Sequence, residues 1–324
     1  MATRTPPPRA TIVIPTHRGA DRLPILLDAL VAQEGAPPFD VVAVIDGVDH
    51  ATAAVLDRYR DRLALTVLTN STNLGIGATL ARGYTAATGE ILIRCDDDIT
   101  PSADFVRRHC QWHEPGTDRG VISATRDHFD DTAYARAYGR PAAERLLAGF
   151  YSRPASERWV GWAACNSLRR ATYERVGGVN PDLTYSEDLD LGYRLSADGV
   201  ELVVDPRLEV THRGPVTRAA DRSRRAYVSG SARAGFEARH ALDRDQEDHP
   251  AGVKARLWDA MVSALAASVR TPAAARRAGV IVDYILPWLP SGAGGRLVSL
   301  IVEGSGRAGR RDAHVDWARA DERR

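Results

Sequence analysis

The strongest constraint on this chain is the alternation of short, β-branched apolar runs with helical periodicity over its first hundred residues. Ala10 to Pro15, Asp40 to Ile45, Ala64 to Leu68 and Glu90 to Ile93 read as strands. Between them, Asp21 to Gln33 repeats Leu23, Leu26, Leu27 and Leu30 at helical spacing. Ala51 to Arg62 and Gly77 to Ala87 follow the same pattern. Strands separated by helices of this length need crossover connections, which predicts a mostly parallel sheet in an α/β fold. Ligands of such sheets gather at the carboxyl ends of the strands. Polar clusters stand at those ends: Pro15-Thr16-His17-Arg18, Asp46-Gly47-Val48-Asp49 and Asp96-Asp97-Asp98.

The pattern loosens after Ser102. Val121 to Ala124 reads as a strand, Asp131 to Ala148 as a helix and Trp159 to Cys165 as a strand-like aromatic run. Arg170 to Val176 is a short helix stopped by Gly177-Gly178. Glu187 to Ala197 is a helix, with Ser186 as N-cap and Gly199 past its end. Val200 to Val204 is again a strand, and Leu208 to Val210 is strand-like. From Arg218 the chain reads as helices at about 218–242, 253–270 and 273–286, with Asp243 to Asp248 as a charged linker. The expected organisation is a flexible segment 1–9, an α/β domain 10–214 and a helical region 215–324. The domain would divide into halves of about 10–100 and 101–214.

Of 324 residues, 44% are hydrophobic and 26% charged, enough for a sizeable core and too polar for a membrane-embedded chain. The net charge of +1 argues against bulk binding to nucleic acid. The charge is segregated: residues 215–324 hold 19 basic and 13 acidic side chains, a balance of +6, which leaves −5 for residues 1–214. Cys95, Cys110 and Cys165 form no CxxC pair, so a reducing compartment is expected and a zinc site is not. The polar, Pro-rich start predicts no secretory signal, and no apolar run reaches membrane-spanning length.

Asp96-Asp97-Asp98 is the sharpest motif. Carboxylates at alternate positions share a side of an extended segment, and such a pair suits Mg²⁺ or Mn²⁺ with positions left for phosphate oxygens. The alternative is an acidic surface turn. Asp46 and Asp49 either accept from a ribose or base, or form Asp-Gly turn chemistry. Asn73 and Gly75 precede a helix that carries Arg82, and a glycine-led helix N-terminus can approach a phosphate. As a dinucleotide fingerprint this segment fails, because Leu80 stands at the third glycine position. Arg82 and Arg94 offset phosphate charge or are surface arginines. Glu187-Asp188 opens a helix; the pair either provides a general base or is ordinary first-turn acid enrichment. His212 either completes a metal site with Asp98 or is structural. Trp159, Trp162 and Asn166 form an acceptor platform or pack in the core.

Together these motifs resemble the family-2 glycosyltransferases of the GT-A fold. The matching pieces are Ile12 to Arg18, Val44 to Asp49, Asn73-Leu74-Gly75 with Arg82-Gly83, and Asp96 to Pro101. Gly177-Gly178 with Glu187 to Leu195, then Val204-Asp205-Pro206 with His212-Arg213, complete the series, over about residues 10–214. The resemblance implies a Rossmann-like, mostly parallel central sheet flanked by helices, as the GT-A catalytic domain. It implies transfer of a hexose from a nucleotide-diphosphate sugar to an acceptor hydroxyl, with inversion. Asp46 and Asp49 would hold the nucleoside. Asp98, with Asp96 or Asp97, would bind the Mn²⁺ or Mg²⁺, and His212 would complete that site. Asp188, next to Glu187, would be the general base. The donor site so implied comprises Pro15, Thr16, Arg18, Asp46, Asp49, Asn73, Gly75, Arg82, Asp96 and Asp97.

The family often has Asp where Cys95 stands. A sugar-phosphate nucleotidyltransferase would carry a glycine-rich loop and a lysine after strand one, whereas the single lysine here, Lys254, is far away. A non-catalytic module of the same fold would have no need of Glu187-Asp188. The acceptor is left open among saccharide, lipid carrier, peptide and small natural product. The basic face at Arg222 to Arg225 and Arg233 to His240, and the apolar stretches Val280 to Leu289 and Leu297 to Val302, suit internal packing or a homodimer, or peripheral contact with a membrane. The expected location is cytoplasmic, with the inner face of the membrane as the peripheral alternative.

Overall fold

The computed structural model describes residues 9–242 and 252–312. The charged linker at 243–248 and all of segment 1–9 except Arg9 lie outside the described residues. In chain order the first half contains β1 (Ala10–Thr16), α1 (Leu23–Val31), β2 (Phe39–Ile45), α2 (His50–Asp57), β3 (Leu65–Thr69), α3 (Ile76–Ala86), β4 (Ile91–Cys95), β5 (Ile99–Thr100) and α4 (Phe105–Gln111). Then come β6 (Arg119–Ile122), β7 (Thr125–Asp127), a π-helical turn Ala135–Gly139 that runs into α5 (Arg140–Ser152), and a 3-10 helix Ala155–Gly161. These are followed by β8 (Cys165–Arg169), α6 (Arg170–Arg175), α7 (Glu187–Ala197), β9 (Glu201–Val204) and β10 (Val210–His212). The remaining helices are α8 (Ala219–Arg239), α9 (Val253–Ser268), α10 (Pro272–Ile285) with a 3-10 turn Leu286–Trp288, and α11 (Ser291–Arg310).

The chain divides into two compact units, Met1–His128 with Leu147–Gly214, and Phe129–Leu146 with Pro215–Arg324. The first unit is built on a seven-stranded sheet of order β3-β2-β1-β4-β8-β6-β9. All its neighbours run parallel except β8, which is antiparallel to β4 and β6. A strand buried on both faces reads as a continuous apolar run, and β1 is one. Ile12 and Ile14 join the leucines of α1 in one core cluster. Val13 joins Leu80 and Tyr84 of α3 and Leu191 and Leu195 of α7 in the other. The sheet order reverses direction at β1 and β4, and their pairing ends at Val13 opposite Arg94. Past that pair the two strand ends diverge, which opens the crevice where ligands of such sheets bind.

A second, three-stranded sheet of order β5-β10-β7 lies beyond the end of β4. Its register sets His212 opposite Ile99 on one side and Asp127 on the other.

The second unit is helical. Tyr134 and Tyr138 pack with Ala219, Val282, Leu286, Val298 and Ile301, which is why segment 129–146 belongs here and not to the acceptor half where the sequence puts it. Asp283, the one acid in the apolar stretch of α10, accepts from the amides of Ala219 (2.7 Å) and Ala220 (3.1 Å) at the start of α8. It supplies from another helix a cap that α8 lacks itself. Helix α11 escapes the periodicity reading because glycine lowers helix propensity. The glycines serve close approach instead: a Cβ on Gly309 would lie 1.9 Å from the Tyr227 carbonyl of α8.

Two other expectations fail locally. Trp159 to Cys165 is not a strand: its first part is a 3-10 turn, and β8 begins only at Cys165. Trp162 is anchored there as a core residue, against Gly120 and Gly192. Ser186 precedes α7 but does not cap it through its side chain; its φ of 62° is left-handed, which turns the hydroxyl away from the helix amides.

Behind the sheet, Ser167 of β8 bonds two buried histidines, His109 Nδ1 at 2.8 Å and His113 Nε2 at 2.7 Å. Burial pushes both imidazoles down to about 3, helped at His109 by His113 and at His113 by Arg169. Both are therefore neutral in the fold but protonate near 6.5 once unfolded. The unfolded chain then binds more protons below that pH, so stability falls as pH falls from 6.5 towards 3. The expected slope is up to about 1.4 kcal/mol per pH unit for each histidine. Urea denaturation at several pH values between about 7 and 5.5 measures it. The double variant His109→Gln/His113→Gln should have a flatter profile than the wild type, and parallel profiles would refute the assignment.

Candidate active site

Arg94 organises the site. It occupies a strand position between buried Ile93 and Cys95, on the same face as Leu92, and is 4% exposed. A guanidinium so placed must be paired. Its Nε and Nη2 donate to the two carboxylate oxygens of Asp96 at 2.8 and 3.1 Å. Its Nη1 donates to Asp188 Oδ1 and lies 3.8 Å from Glu187 Oε1. The pairing fixes the first turn of α7 against the end of β4. It leaves Asp188 Oδ2 without a hydrogen bond among the described residues. Burial lifts Asp96 to about 6 even against Arg94. Burial, reinforced by the charge of Asp188, lifts Glu187 well above the usual carboxylate range.

The other two consecutive aspartates have partners of their own. Asp97 accepts from Thr16 Oγ1 at 2.6 Å and is held by Arg22 through Nε (3.0 Å) and Nη2 (2.8 Å). It bridges the ends of β1 and β4 across the crevice. Asp98 Oδ2 lies 3.2 Å from His212 Nε2, and the other ring nitrogen of His212 lies 2.6 Å from Asp127 Oδ1. Burial opposes protonation of His212, but Asp127 and Asp98 outweigh it and raise the imidazole to about 9. Burial would raise Asp98, and the hydrogen bond and charge of His212 hold it below the usual range instead. The chain covers this pair closely: a Cβ on Gly214 would stand 2.1 Å from Asp98 Oδ2 and would push that carboxylate aside.

Asp46 is buried, and both of its oxygens are hydrogen-bonded. It accepts from Asn70 Nδ2 (2.9 Å) and from the amides of Leu74 (2.8 Å) and Gly75 (2.9 Å). Those amides lie where the sequence reading looked for a phosphate. The Asn73 side chain also accepts from Gly75 N at 3.1 Å. Asp49 caps α2 through the amides of Ala51 and Thr52 and takes the Thr52 hydroxyl. Arg82 donates to Thr69 O and Asn70 Oδ1, both at 2.7 Å, and straps the loop after β3. Pro15 is buried, whereas Arg18 is exposed with a left-handed φ of 50°. Arg194 ties α7 to the Gly177-Gly178 turn through Gly178 O at 2.6 Å. Trp162 and Asn166 are buried, and Trp159 stacks edge-on to Tyr193.

Among the described residues, no three His, Cys, Asp or Glu side chains converge to hold a metal. Asp98 and His212 are the candidate ligands that touch, and their oxygen and nitrogen suit a Mn²⁺-type ion. Both oxygens of Asp96 face Arg94. The sequence reading missed Arg22, Asn70, Asp127 and Gly214, and left Arg94 as a phosphate-facing or surface residue. Arg94 gave a signal, since a charge inside an apolar strand demands a partner. Asp127 gave none.

A mostly parallel sheet with acidic strand ends at its switch point, extended by helices, defines a GT-A-type protein. The model of the family described as Glycosyl transferase family 2 matches residues 11–189, and the chain belongs to that family. Validoxylamine A glucosyltransferase of Streptomyces hygroscopicus subsp. limoneus is 26% identical over 61% of this chain and 50% of its own. O-antigen biosynthesis protein RfbC of Myxococcus xanthus is 27% identical over 66% of this chain and 18% of its own. The chain thus spans half or less of these relatives. Among solved structures, mannosyltransferase PcManGT from Pyrobaculum calidifontis, in complex with GDP-Man and Mn²⁺, aligns over 93% of this chain and 87% of its own. Its TM-score is 0.61 at 20% identity. S. aureus TarS with UDP-GlcNAc aligns with a TM-score of 0.52 at 16% identity, over 93% of this chain and 92% of its own.

Removing a guanidinium from three carboxylates leaves uncompensated buried charge, which costs about 3–5 kcal/mol. Arg94→Met should lose that much in urea denaturation, and Arg94→Lys less. A loss under about 1 kcal/mol would show that Arg94 does not organise the cluster.

Proposed function

We propose that this chain transfers a hexose from a nucleoside diphosphate sugar to an acceptor hydroxyl, with inversion. The observation that carries the reading is the Arg94-bound first turn of α7, which holds Asp188 at the mouth of the crevice with one oxygen uncommitted. Asp188 takes the proton from the acceptor hydroxyl. The acceptor oxygen then bonds to the anomeric carbon as the bond from that carbon to the diphosphate breaks. Arg94 positions Asp188 and neutralises its neighbours. Asp98 and His212 would hold a divalent cation once the ring gives up the proton it shares with Asp98, and that ion would supply Lewis-acid neutralisation of the diphosphate. Asp96 and Asp97 shape the donor side through Arg94, Arg22 and Thr16. Asp46 acts by fixing the loop at Asn73 to Gly75, whose exposed edge faces the nucleoside.

Family membership disfavours the nucleotidyltransferase reading, and the intact Arg94–Asp188 pair disfavours a non-catalytic module. The three free, buried cysteines suit a reducing compartment such as the cytoplasm. No helix among the described residues is long and apolar enough to cross a membrane.

Calorimetric titration with nucleoside diphosphates and nucleotide sugars, GDP-Man and UDP-GlcNAc first, with and without Mn²⁺ or Mg²⁺, tests the donor site. Metal-dependent binding of one nucleotide supports it; no binding to folded protein favours the non-catalytic module. Asp98→Ala should abolish the metal-dependent part, and unchanged affinity would remove Asp98 from the site. Asp188→Asn should keep donor affinity while turnover falls about 10²–10⁴-fold. Equal turnover would end the base assignment.

A further inference from the structure

Helix α10 and the turn after it leave an apolar face uncovered. Val280, Ile281, Tyr284, Ile285 and Trp288 recur at helical spacing, and Ile281 is 65%, Tyr284 81% and Trp288 84% exposed. Arg277 shares the face, and no acid does: Asp283 points the other way, into the cap of α8. Side chains of this size do not stay in water without a use when they form one contiguous stripe.

We propose that this face is a docking surface for an anionic lipid membrane. Charge complementarity selects the occupant. Arg270, Arg277, Arg145 and Arg296 are exposed, and none has an acidic partner among the described residues. Three residues past Trp288, the first turn of α11 lines a cavity of about 570 Å³ whose wall also holds Arg145, Arg296 and Arg136, the last paired with Asp131 at 2.8 Å. The one carboxylate in its wall, Glu303, is taken by Trp258 Nε1 at 2.7 Å. An apolar stripe with Trp and Tyr, flanked by unpaired arginines, matches the acyl–headgroup boundary with phosphate above it. A second copy fits less well. A twofold contact would set this patch against itself, bringing Arg277 towards its own counterpart with no acid between.

This inference is independent of the transfer reaction, and its test reads binding alone. The full chain is sedimented with vesicles of phosphatidylcholine containing about one third phosphatidylglycerol, and with pure phosphatidylcholine. Binding to the anionic vesicles, weakening as salt rises, is expected. Ile281→Ser/Trp288→Ser should lower the partition coefficient at least about tenfold. Arg277→Gln/Arg296→Gln should lower it on anionic vesicles only. Thermal unfolding confirms that the variants fold; if the double apolar variant does not, Trp288→Ser alone carries the test. No sedimentation with either vesicle would overturn the proposal. So would a concentration-dependent dimer, seen by light scattering, that the same apolar substitutions abolish.

Discussion

A guanidinium held inside an interior strand is the constraint from which the rest of this site follows. Arg94 cannot be buried alone, and the carboxylates that neutralise it come from two residues and 94 residues further along the chain. Their convergence fixes where α7 begins relative to β4. Buried ion pairs of this kind add little net stability, because desolvation offsets the attraction. What they add is geometry: the wrong docking of α7 would strand a charge. Asp188 is therefore placed by an electrostatic requirement together with the packing of Leu191 and Leu195 of α7.

The same logic distributes three adjacent aspartates among three cations. Asp96 goes to Arg94, Asp97 to Arg22 and Asp98 to His212. Asp97 and Asp98 form the middle of a tight turn, in which Ile99 N donates to Asp96 O at 3.2 Å, so neighbours in sequence become walls of different parts of the crevice. A run of like charges that would repel in isolation is stable here because each member has its own counter-charge. Asp46 obeys the parallel rule for hydrogen bonds: each oxygen of an occluded carboxylate finds a donor, here from one side-chain amide and two backbone amides.

Much of the fold was legible in the sequence, because parallel strands and their crossover helices write a pattern of period and burial. The order of the first four strands and their helices, the position of α7 and the polar ends of β1, β2 and β4 could be read from Ile12, Leu26, Asp96 and Glu187 and their neighbours. What could not be read depends on long-range pairing. The register that puts Asp127 beside His212 leaves no mark near either residue. The glycines of α11 look like breaks until the backbone of α8 lies against them. Asp49 caps α2, a duty that its place after β2 does not announce. A side chain that serves the backbone and one that serves a ligand have the same letter and the same flanks.

The small three-stranded sheet sets a condition on when Asp98 and Asp127 acquire their shared partner. His212 reaches back 85 residues to Asp127 and 114 to Asp98. Contacts so distant in sequence form late, since the loop they close must be ordered first. On the ribosome β1 to β4 emerge long before β10 does. A nascent chain can thus pair those four strands while Asp98 and Asp127 still lack the imidazole that brings them together. Synthesis itself lays down these strands before the residue that closes Asp98 against Asp127.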